Sequence, residues 1–213
     1  MTEFVNRDLV DIFRAIAAAI EATKGRLSEL DGVIGDADHG VTMSIGFAAV
    51  GDALGRLDRA STDPTSVLNT AAKVFLNAVG ASPGPLYATG LMRAAAVMKG
   101  RTILDRDAIV DIIAAVAKGI QDRGKAERGD KTMVDVWVPA AEAAEAARAA
   151  DKDLEACLKD ALAAAQAGAE ATKFMVASKG RASRLGERAI GHEDPGAASA
   201  LVIVGAIAQA LRS

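Results

Sequence analysis

The stretch from Asp31 to Gly40 places three aspartates, one histidine and three glycines within ten residues. At an effective dielectric constant of about 20, two carboxylates about 4 Å apart repel each other by roughly 4 kcal/mol. A folded chain relieves this repulsion by protonating a carboxylate, by spreading the carboxylates into water, or by binding a cation. The stretch therefore predicts either a solvated, aspartate-rich turn or a divalent metal site at the surface.

The types of side chain in this stretch favour magnesium among the possible metals. Carboxylate oxygens with one imidazole and no thiolate suit a hard cation such as Mg²⁺ better than Zn²⁺. Bound Mg²⁺ usually keeps several waters and takes phosphate oxygens as further ligands, so a phosphate-handling site is the natural corollary. An EF-hand is excluded, because a loop that begins at Asp36 lacks the third acidic ligand and the glutamate at its twelfth position.

Composition narrows the class of protein. The 213 residues, 51% hydrophobic but only 3% aromatic, suit one domain, 1–213. Abundant Ala, Leu, Glu and Lys with few β-branched clusters favour helices over sheet. A net charge of −3 gives no electrostatic footprint for nucleic acid. The single cysteine, Cys157, excludes an internal disulfide and suits a reducing cytosol. We expect a cytoplasmic protein without membrane contact, because no signal-peptide pattern is present and the most apolar run, 201–211, is too short to span a bilayer.

Apolar residues recur at helical spacing along the whole chain, and the pattern predicts an all-α fold. Pro139 lies inside the sixth predicted helix and predicts a kink or a restart there. No segment has a persuasive strand pattern. The first, third and seventh predicted helices cover about 7–30, 64–79 and 153–178. The second begins near 40, the fourth runs from after 85 to 99, and the fifth runs from after the cap Asp105 to the loop at 124. The sixth begins at about 132, and the eighth runs from after 196 to 212.

Four connections are rich in glycine or charge, and each joins an odd-numbered helix to the next even-numbered one. If the helices alternate up and down, these connections meet at one rim. Each also precedes a helix N-terminus, which attracts anions. A P-loop is excluded, because Asp130 interrupts the Gly-Lys-Thr pattern and no strand precedes it. Carboxylates, glycines and cations on one rim predict a site for phosphoryl transfer with a nucleotide and magnesium. The four connections are 31–40, 80–85, 124–131 and 179–196.

Several multi-residue motifs are spread over nearly the whole chain. They are Ile34-Gly-Asp-Ala-Asp-His-Gly40, Gly84-Pro-Leu-Tyr87 with Arg93, Arg123-Gly-Lys-Ala-Glu127, Gly129-Asp-Lys-Thr-Met133, Asp135-Val-Trp-Val-Pro139, Lys179-Gly-Arg-Ala-Ser183, Leu185-Gly-Glu-Arg188, and Gly191-His192 through Asp194-Pro-Gly196. In type and order these motifs resemble those of the DhaL family, the ADP-binding L subunits of bacterial dihydroxyacetone kinases.

The resemblance implies a single-domain, eight-helix antiparallel barrel with a nucleotide site at one rim. It implies ADP or ATP as the bound nucleotide, with two Mg²⁺ ions held by Asp31, Asp36 and Asp38. No catalytic residue is expected in this chain, because the family's substrate is bound covalently by a histidine of a separate K subunit. The residues implied to contact the nucleotide are His39, Gly40, Val41, Thr42, Gly80, Ala81, Ser82, Pro83, Gly124, Thr132, Met133, Arg181, Asp194, Pro195 and Gly196.

The implied function is transfer of a phosphoryl group to dihydroxyacetone or a related short ketose on a K-type partner. In one form, ADP stays bound and is rephosphorylated by a phosphotransferase-system protein. In another, ATP exchanges freely, as in a tetrulose kinase. A non-catalytic nucleotide-binding regulatory module is the third alternative, and the costly aspartate cluster argues against it. A homodimer is also possible.

Two positions depart from the family's pattern. Pro83 replaces a serine whose N–H and hydroxyl could both reach phosphate, and proline supplies neither donor. Losing one such contact would weaken nucleotide binding by roughly 1–3 kcal/mol, unless Ser82 compensates. Thr42 stands where the family often has asparagine, which has a longer reach.

Overall fold

The computed structural model describes residues 6–58 and 62–212. Within these ranges it contains eight α-helices and no strand, which confirms the predicted all-α fold. None of the described helices is long and apolar enough to cross a bilayer. The helices are α1 (Asn6–Ile34), α2 (His39–Gly55), α3 (Pro64–Ala78), α4 (Pro83–Val97), α5 (Arg106–Gly124), α6 (Val134–Ala149), α7 (Leu154–Ala171) and α8 (Pro195–Ala210), with 3₁₀ segments at Thr172–Phe174 and Arg181–Ala189.

The helices form a closed ring. Each one packs against the next along the chain, and α8 packs against α1. The four odd-to-even connections line one common cavity, as expected for helices that alternate up and down. One continuous apolar core contains buried side chains from all eight helices.

Four buried aromatic side chains form a cluster inside the ring. Phe47 and Phe75 lie 4.9 Å apart between ring centroids, and Phe75 and Tyr87 lie 5.6 Å apart. The indole N–H of Trp137 donates to the Tyr87 hydroxyl at 3.3 Å. Much of the surrounding core is alanine, which lets neighbouring helices approach closely.

Three helix boundaries differ from the sequence prediction by three residues or more. α1 runs to Ile34 instead of Leu30, so Asp31 belongs to its last turn. α4 begins at Pro83 instead of after Pro85, because proline suits the first position of a helix.

The third difference is at the end of α7, which stops at Ala171 rather than near 178. The hydroxyl of Thr172 donates to the Ala169 carbonyl at 2.6 Å and accepts the N–H of Asp194 at 3.1 Å. This buried side chain ties the helix end to the start of α8. The chain leaves the helix there, and the segment that follows is free to fold over the cavity.

Pro139 does not restart α6, which continues through it as one helix. Proline has no N–H, so the carbonyl of Asp135 lacks its usual partner within the helix. α7 approaches this carbonyl through Gly168, where an added Cβ would lie 2.0 Å from the Asp135 oxygen. Glycine at 168 is therefore required for the close packing of α6 and α7.

We predict that Gly168→Ala lowers the free energy of unfolding by about 1–3 kcal/mol, because the new methyl group overlaps backbone of α6. Urea denaturation followed by circular dichroism measures this change. Gly25→Ala on α1 is the matched control, since nothing lies within 4 Å of its added Cβ. We expect the control to gain up to about 1 kcal/mol from helix propensity. Equal stability of Gly168→Ala and the wild type would contradict the packing described.

Candidate nucleotide and metal site

A cavity of about 510 Å³ lies between the four odd-to-even connections. Its lining combines carboxylates, cations and apolar side chains. The lining residues are Asp31, Ile34, Asp36, Asp38, His39, Ala81, Ser82, Pro83, Pro85, Leu86, Ile120, Arg123, Gly124, Ala126, Lys131, Thr132, Met133, Val134, Lys179, Gly180, Arg181, Ala182, Asp194, Pro195 and Gly196.

The three aspartates come together at this cavity. One carboxylate oxygen from each of Asp31, Asp36 and Asp38 lies within 4.8 Å of the others. Asp31 is buried, whereas Asp36 and Asp38 are exposed. A cluster of hard oxygen donors with two open members fits Mg²⁺, which keeps part of its water shell.

The Asp31 carboxylate is fixed by backbone at the start of α2. Its Oδ2 atom accepts the N–H of Asp38 at 2.9 Å and that of His39 at 3.1 Å. Its Oδ1 atom lies against Gly35, where an added Cβ would be 2.1 Å away. Ala37, between Gly35 and Asp38 in the sequence, has a φ of 65°, a backbone conformation that is costly for a residue with a side chain. This tight turn holds the aspartates together.

Cations reach the aspartates from the segment between α7 and α8. The guanidinium of Arg181 pairs with the Asp36 carboxylate, and Lys179 also lines the cavity. A small apolar cluster seats this segment against the end of α1; its buried members are Ile34, Ala177, Ala182 and Ala189. The cavity therefore has positive side chains beside its carboxylates, as a phosphate site requires.

His39 is a buried ring at the start of α2. Its Nε2 atom lies 2.9 Å from the hydroxyl of Ser199, which in turn donates to the Gly196 carbonyl at 3.0 Å. Burial lowers the pKa of His39 below its ordinary value, although the Asp31 charge opposes this. A buried imidazole engaged with α8 is a poor phosphoryl carrier and a good anchor for the start of α2.

Apolar side chains form another part of the cavity wall, and Met133 was the one large member predicted from the sequence. Leu86 of α4, Ile120 of α5 and Ala126 of the loop after it were not named as nucleotide contacts. Ile120 is the last residue of the apolar stripe of α5. Because this stripe runs towards Gly124, it was the sequence signal that could have placed Ile120 at the cavity. Such a surface suits the flat face of a nucleotide base.

Comparisons with known proteins identify the family. A family model described as the DAK2 domain matches residues 33–209. The chain is 40% identical to the "PEP-dependent dihydroxyacetone kinase, ADP-binding subunit DhaL" of Escherichia coli K12, over 87% of this chain and 88% of that one. It is 38% identical to the corresponding subunit of kinase 2 from Listeria innocua, over 94% and 93%. The chain belongs to the DhaL family. The predicted family and the predicted class, a phosphotransferase subunit, are confirmed.

A solved structure shows the same fold. The chain aligns with the dihydroxyacetone kinase of C. freundii, in complex with AMP-PNP and Mg²⁺, with a TM-score of 0.74 and 24% identity. The match covers 98% of this chain but 35% of that one. An L-erythrulose 1-kinase of Mycolicibacterium smegmatis is 34% identical, and this chain again spans 35% of its length. The DhaL fold thus occurs in long relatives as well as in short subunits.

Four of the positions implied by the DhaL resemblance do not line the cavity. Gly40 is buried against α1, where an added Cβ would lie 2.0 Å from the Lys24 carbonyl. Val41 and Thr42 follow it in the first turn of α2, and Gly80 is exposed with nothing within 4 Å of an added Cβ. The other implied residues, which do line the cavity, are Asp31, Asp36, Asp38, His39, Ala81, Ser82, Pro83, Gly124, Thr132, Met133, Arg181, Asp194, Pro195 and Gly196.

The start of α4 offers few backbone donors to a phosphate. Pro83 and Pro85 have no N–H, and the N–H of Gly84 donates to the Ala81 carbonyl at 3.0 Å. The Ser82 side chain caps no backbone N–H and is exposed at the cavity. Ser82 is therefore the polar side chain that remains available in this connection.

Asp194 begins α8 and accepts the N–H of Ala197 at 2.7 Å. Burial raises the pKa of Asp194 to about 7, although the Lys131 charge and its backbone donors oppose the shift. The folded protein thus keeps a proton that the unfolded chain releases near its ordinary pKa of 3.8. The resulting stabilisation is complete below that value and is lost as the pH rises towards 7.

We predict that Asp194→Asn removes this pH-dependent component while it keeps a capping oxygen. The unfolding free energy of the wild type, minus that of the variant, should fall between pH 4 and 7 by about 1.4 kcal/mol per unit of pKa shift, as an upper limit. Urea unfolding across this pH range measures it. Asp153→Asn, the exposed cap of α7 with the same bond to Ala156 N–H, is the control. A constant difference for Asp194→Asn would contradict the proposed titration.

Proposed function

We propose that this chain is the nucleotide subunit of a kinase that phosphorylates dihydroxyacetone or a related short ketose. The observation that carries the proposal is the convergence of three carboxylates within 4.8 Å at a cavity that also holds cations and an apolar wall. Each part matches one part of a magnesium nucleotide: metal, phosphates and base. The printed names of the DhaL relatives, which describe ADP-binding subunits, support the same ligand.

Asp31, Asp36 and Asp38 are the residues that would hold two Mg²⁺ ions. Bound magnesium neutralises phosphate charge and orients the nucleotide for transfer. Asp31 supplies a fixed ligand, because backbone N–H groups hold its carboxylate. Arg181 and Lys179 add positive charge beside the phosphates. Met133 and its apolar neighbours exclude water from the base.

The phosphoryl acceptor belongs to a partner in this proposal. The His39 ring is buried and its Nε2 atom is engaged with the Ser199 hydroxyl, so His39 is not a ready nucleophile in the described site. The long relatives, of which this chain spans 35%, have room for an acceptor-binding part within one chain. A separate K-type subunit would supply that part here, in a complex that we expect in the cytoplasm.

Two forms of phosphate donation remain. The names of the relatives from Escherichia coli and Lactococcus lactis, PEP-dependent and PTS-dependent, support a resident ADP that a phosphotransferase-system protein recharges. The α4 N-terminus, with two prolines and one engaged N–H, supports weaker binding and hence ATP exchange. The resident ADP is the main proposal, because relatives that this chain matches over most of their length carry those names.

We predict that Asp36→Asn weakens ADP binding in the presence of Mg²⁺ by at least roughly tenfold, because a metal ligand is lost. Isothermal titration calorimetry measures the affinity, and transfer to dihydroxyacetone with a K-type partner measures activity. Asp52→Asn on the exposed face of α2 removes the same charge outside the cavity and should change neither. Full ADP binding and transfer by Asp36→Asn would refute the metal assignment. A non-catalytic module would show nucleotide binding but no transfer even in the wild type.

The form of donation is tested by the nucleotide that purifies with the protein. After denaturation, anion-exchange chromatography should show near-stoichiometric ADP together with magnesium if ADP is resident. An empty protein that binds ATP reversibly would instead support exchange. Absence of nucleotide binding under both conditions would contradict the kinase proposal.

A further inference from the structure

Lys131 is a fully buried lysine at the edge of the cavity. Its side chain and backbone together are 1% exposed. Its ammonium group donates to the carbonyl of His192 at 2.6 Å and to the carbonyl of Thr172. In the sequence this residue is the lysine of a Gly-Asp-Lys-Thr string, which resembles a phosphate-binding motif. Its ammonium group instead donates its hydrogen bonds to backbone carbonyls.

Two features make this arrangement costly. A buried ammonium group loses its hydration, and burial lowers the pKa of Lys131. The residue also has a φ of 60°, in the left-handed region that side chains disfavour. Such costs persist where the surrounding structure fixes the residue, and they concentrate at functional sites.

The surroundings of Lys131 supply that constraint. The Asp135 carboxylate accepts the N–H of Gly129 at 2.5 Å and the N–H of Thr132 at 2.8 Å, so it clamps both sides of Lys131. The charge of Asp135, and that of Asp194 once its carboxyl group is ionised, attract the ammonium group. The strained loop is thus held from within, and the lysine is directed into the protein.

Lys131 joins segments that are far apart in the chain. Its own loop carries Thr132 and Met133, which line the cavity. The carbonyl of His192 belongs to the turn that leads to Asp194, Pro195 and Gly196, which also line the cavity. Gly196 lies beside Met133, since its added Cβ would be 3.7 Å from the Met133 backbone nitrogen. Thr172, whose carbonyl accepts from Lys131, directly follows the last residue of α7. The hydroxyl of Thr172 accepts the N–H of Asp194 in the same turn.

We propose that Lys131 is a positioning residue for nucleotide binding: it ties the 129–133 loop to the 191–196 turn and so sets the shape of the cavity wall that these two segments form. It does not contact the nucleotide itself. The inference rests on the proposed nucleotide site. It deepens that proposal, because it gives the role of shaping the pocket to a lysine that the sequence pattern alone would place in contact with phosphate.

The test compares Lys131→Met with Lys125→Met. Lys125 lies in the same loop with a φ of 49° and carries the same charge, but it is exposed and does not line the cavity. For Lys131→Met, checked by circular dichroism to be folded, the Kd for ADP should rise on the order of tenfold, the effect of losing bonds from a charged donor. The Kd for AMP should rise by the same factor, since no phosphate contact is lost. Lys125→Met should bind both as the wild type does.

Three outcomes would decide against the proposal in different ways. Unchanged ADP affinity in folded Lys131→Met would show that the residue serves stability alone. A loss for ADP without a loss for AMP would show direct phosphate contact. A wild type that binds no nucleotide would contradict the proposed function, and this inference with it.

A measurement on the wild type covers the case in which Lys131→Met does not fold. Acetic anhydride labelling with mass spectrometry should modify Lys125 and leave Lys131 unmodified, both without ADP and with it. A lysine that is modified in the free protein and protected by ADP would overturn the proposal, because it would be an open phosphate ligand.

Discussion

The structure at the cavity depends on one electrostatic problem, the close approach of three carboxylates. The chain places Asp31 on the last turn of α1 and gives its oxygen two N–H groups from the start of α2. Gly35 leaves room for that carboxylate, and Arg181 pairs with Asp36. Repulsion that would destabilise an ordinary turn is thereby balanced by backbone dipoles and one cation. The same balance leaves Asp36 and Asp38 exposed for a metal.

The closed helical ring turns this local arrangement into a complete site. Because the helices alternate, each odd-to-even connection delivers its own chemistry to one end: carboxylates from the first, small residues from the second, an apolar wall from the third and cations from the fourth. No single connection could bind a nucleotide. Deep in the ring, Trp137 and Tyr87 fill the core, while Ser199 on α8 binds His39 at its rim. Because α8 also contributes Ile203 and Val204 to the core, core and site share this helix.

Sequence patterns predicted the helices, their alternation and the shared rim, because these follow from local periodicity and short connections. The DhaL motifs added the family. The features that neither the patterns nor the motifs predicted depend on contacts between residues that are distant in the chain. α7 ends early because Thr172 binds Asp194, 22 residues away. Lys131 turns inward because its ammonium group binds the carbonyl of His192, 61 residues away. Pro83 was noted as a departure, but only the helix start shows that Gly84 offers no free N–H.

The most direct test of the account is a crystal structure with ADP and Mn²⁺, with anomalous scattering to locate the metal. The account predicts manganese bound by Asp31, Asp36 and Asp38 and bridging to the diphosphate, with the base against Met133 and Leu86. Manganese at another acidic group, or ADP outside the cavity between the four connections, would contradict it.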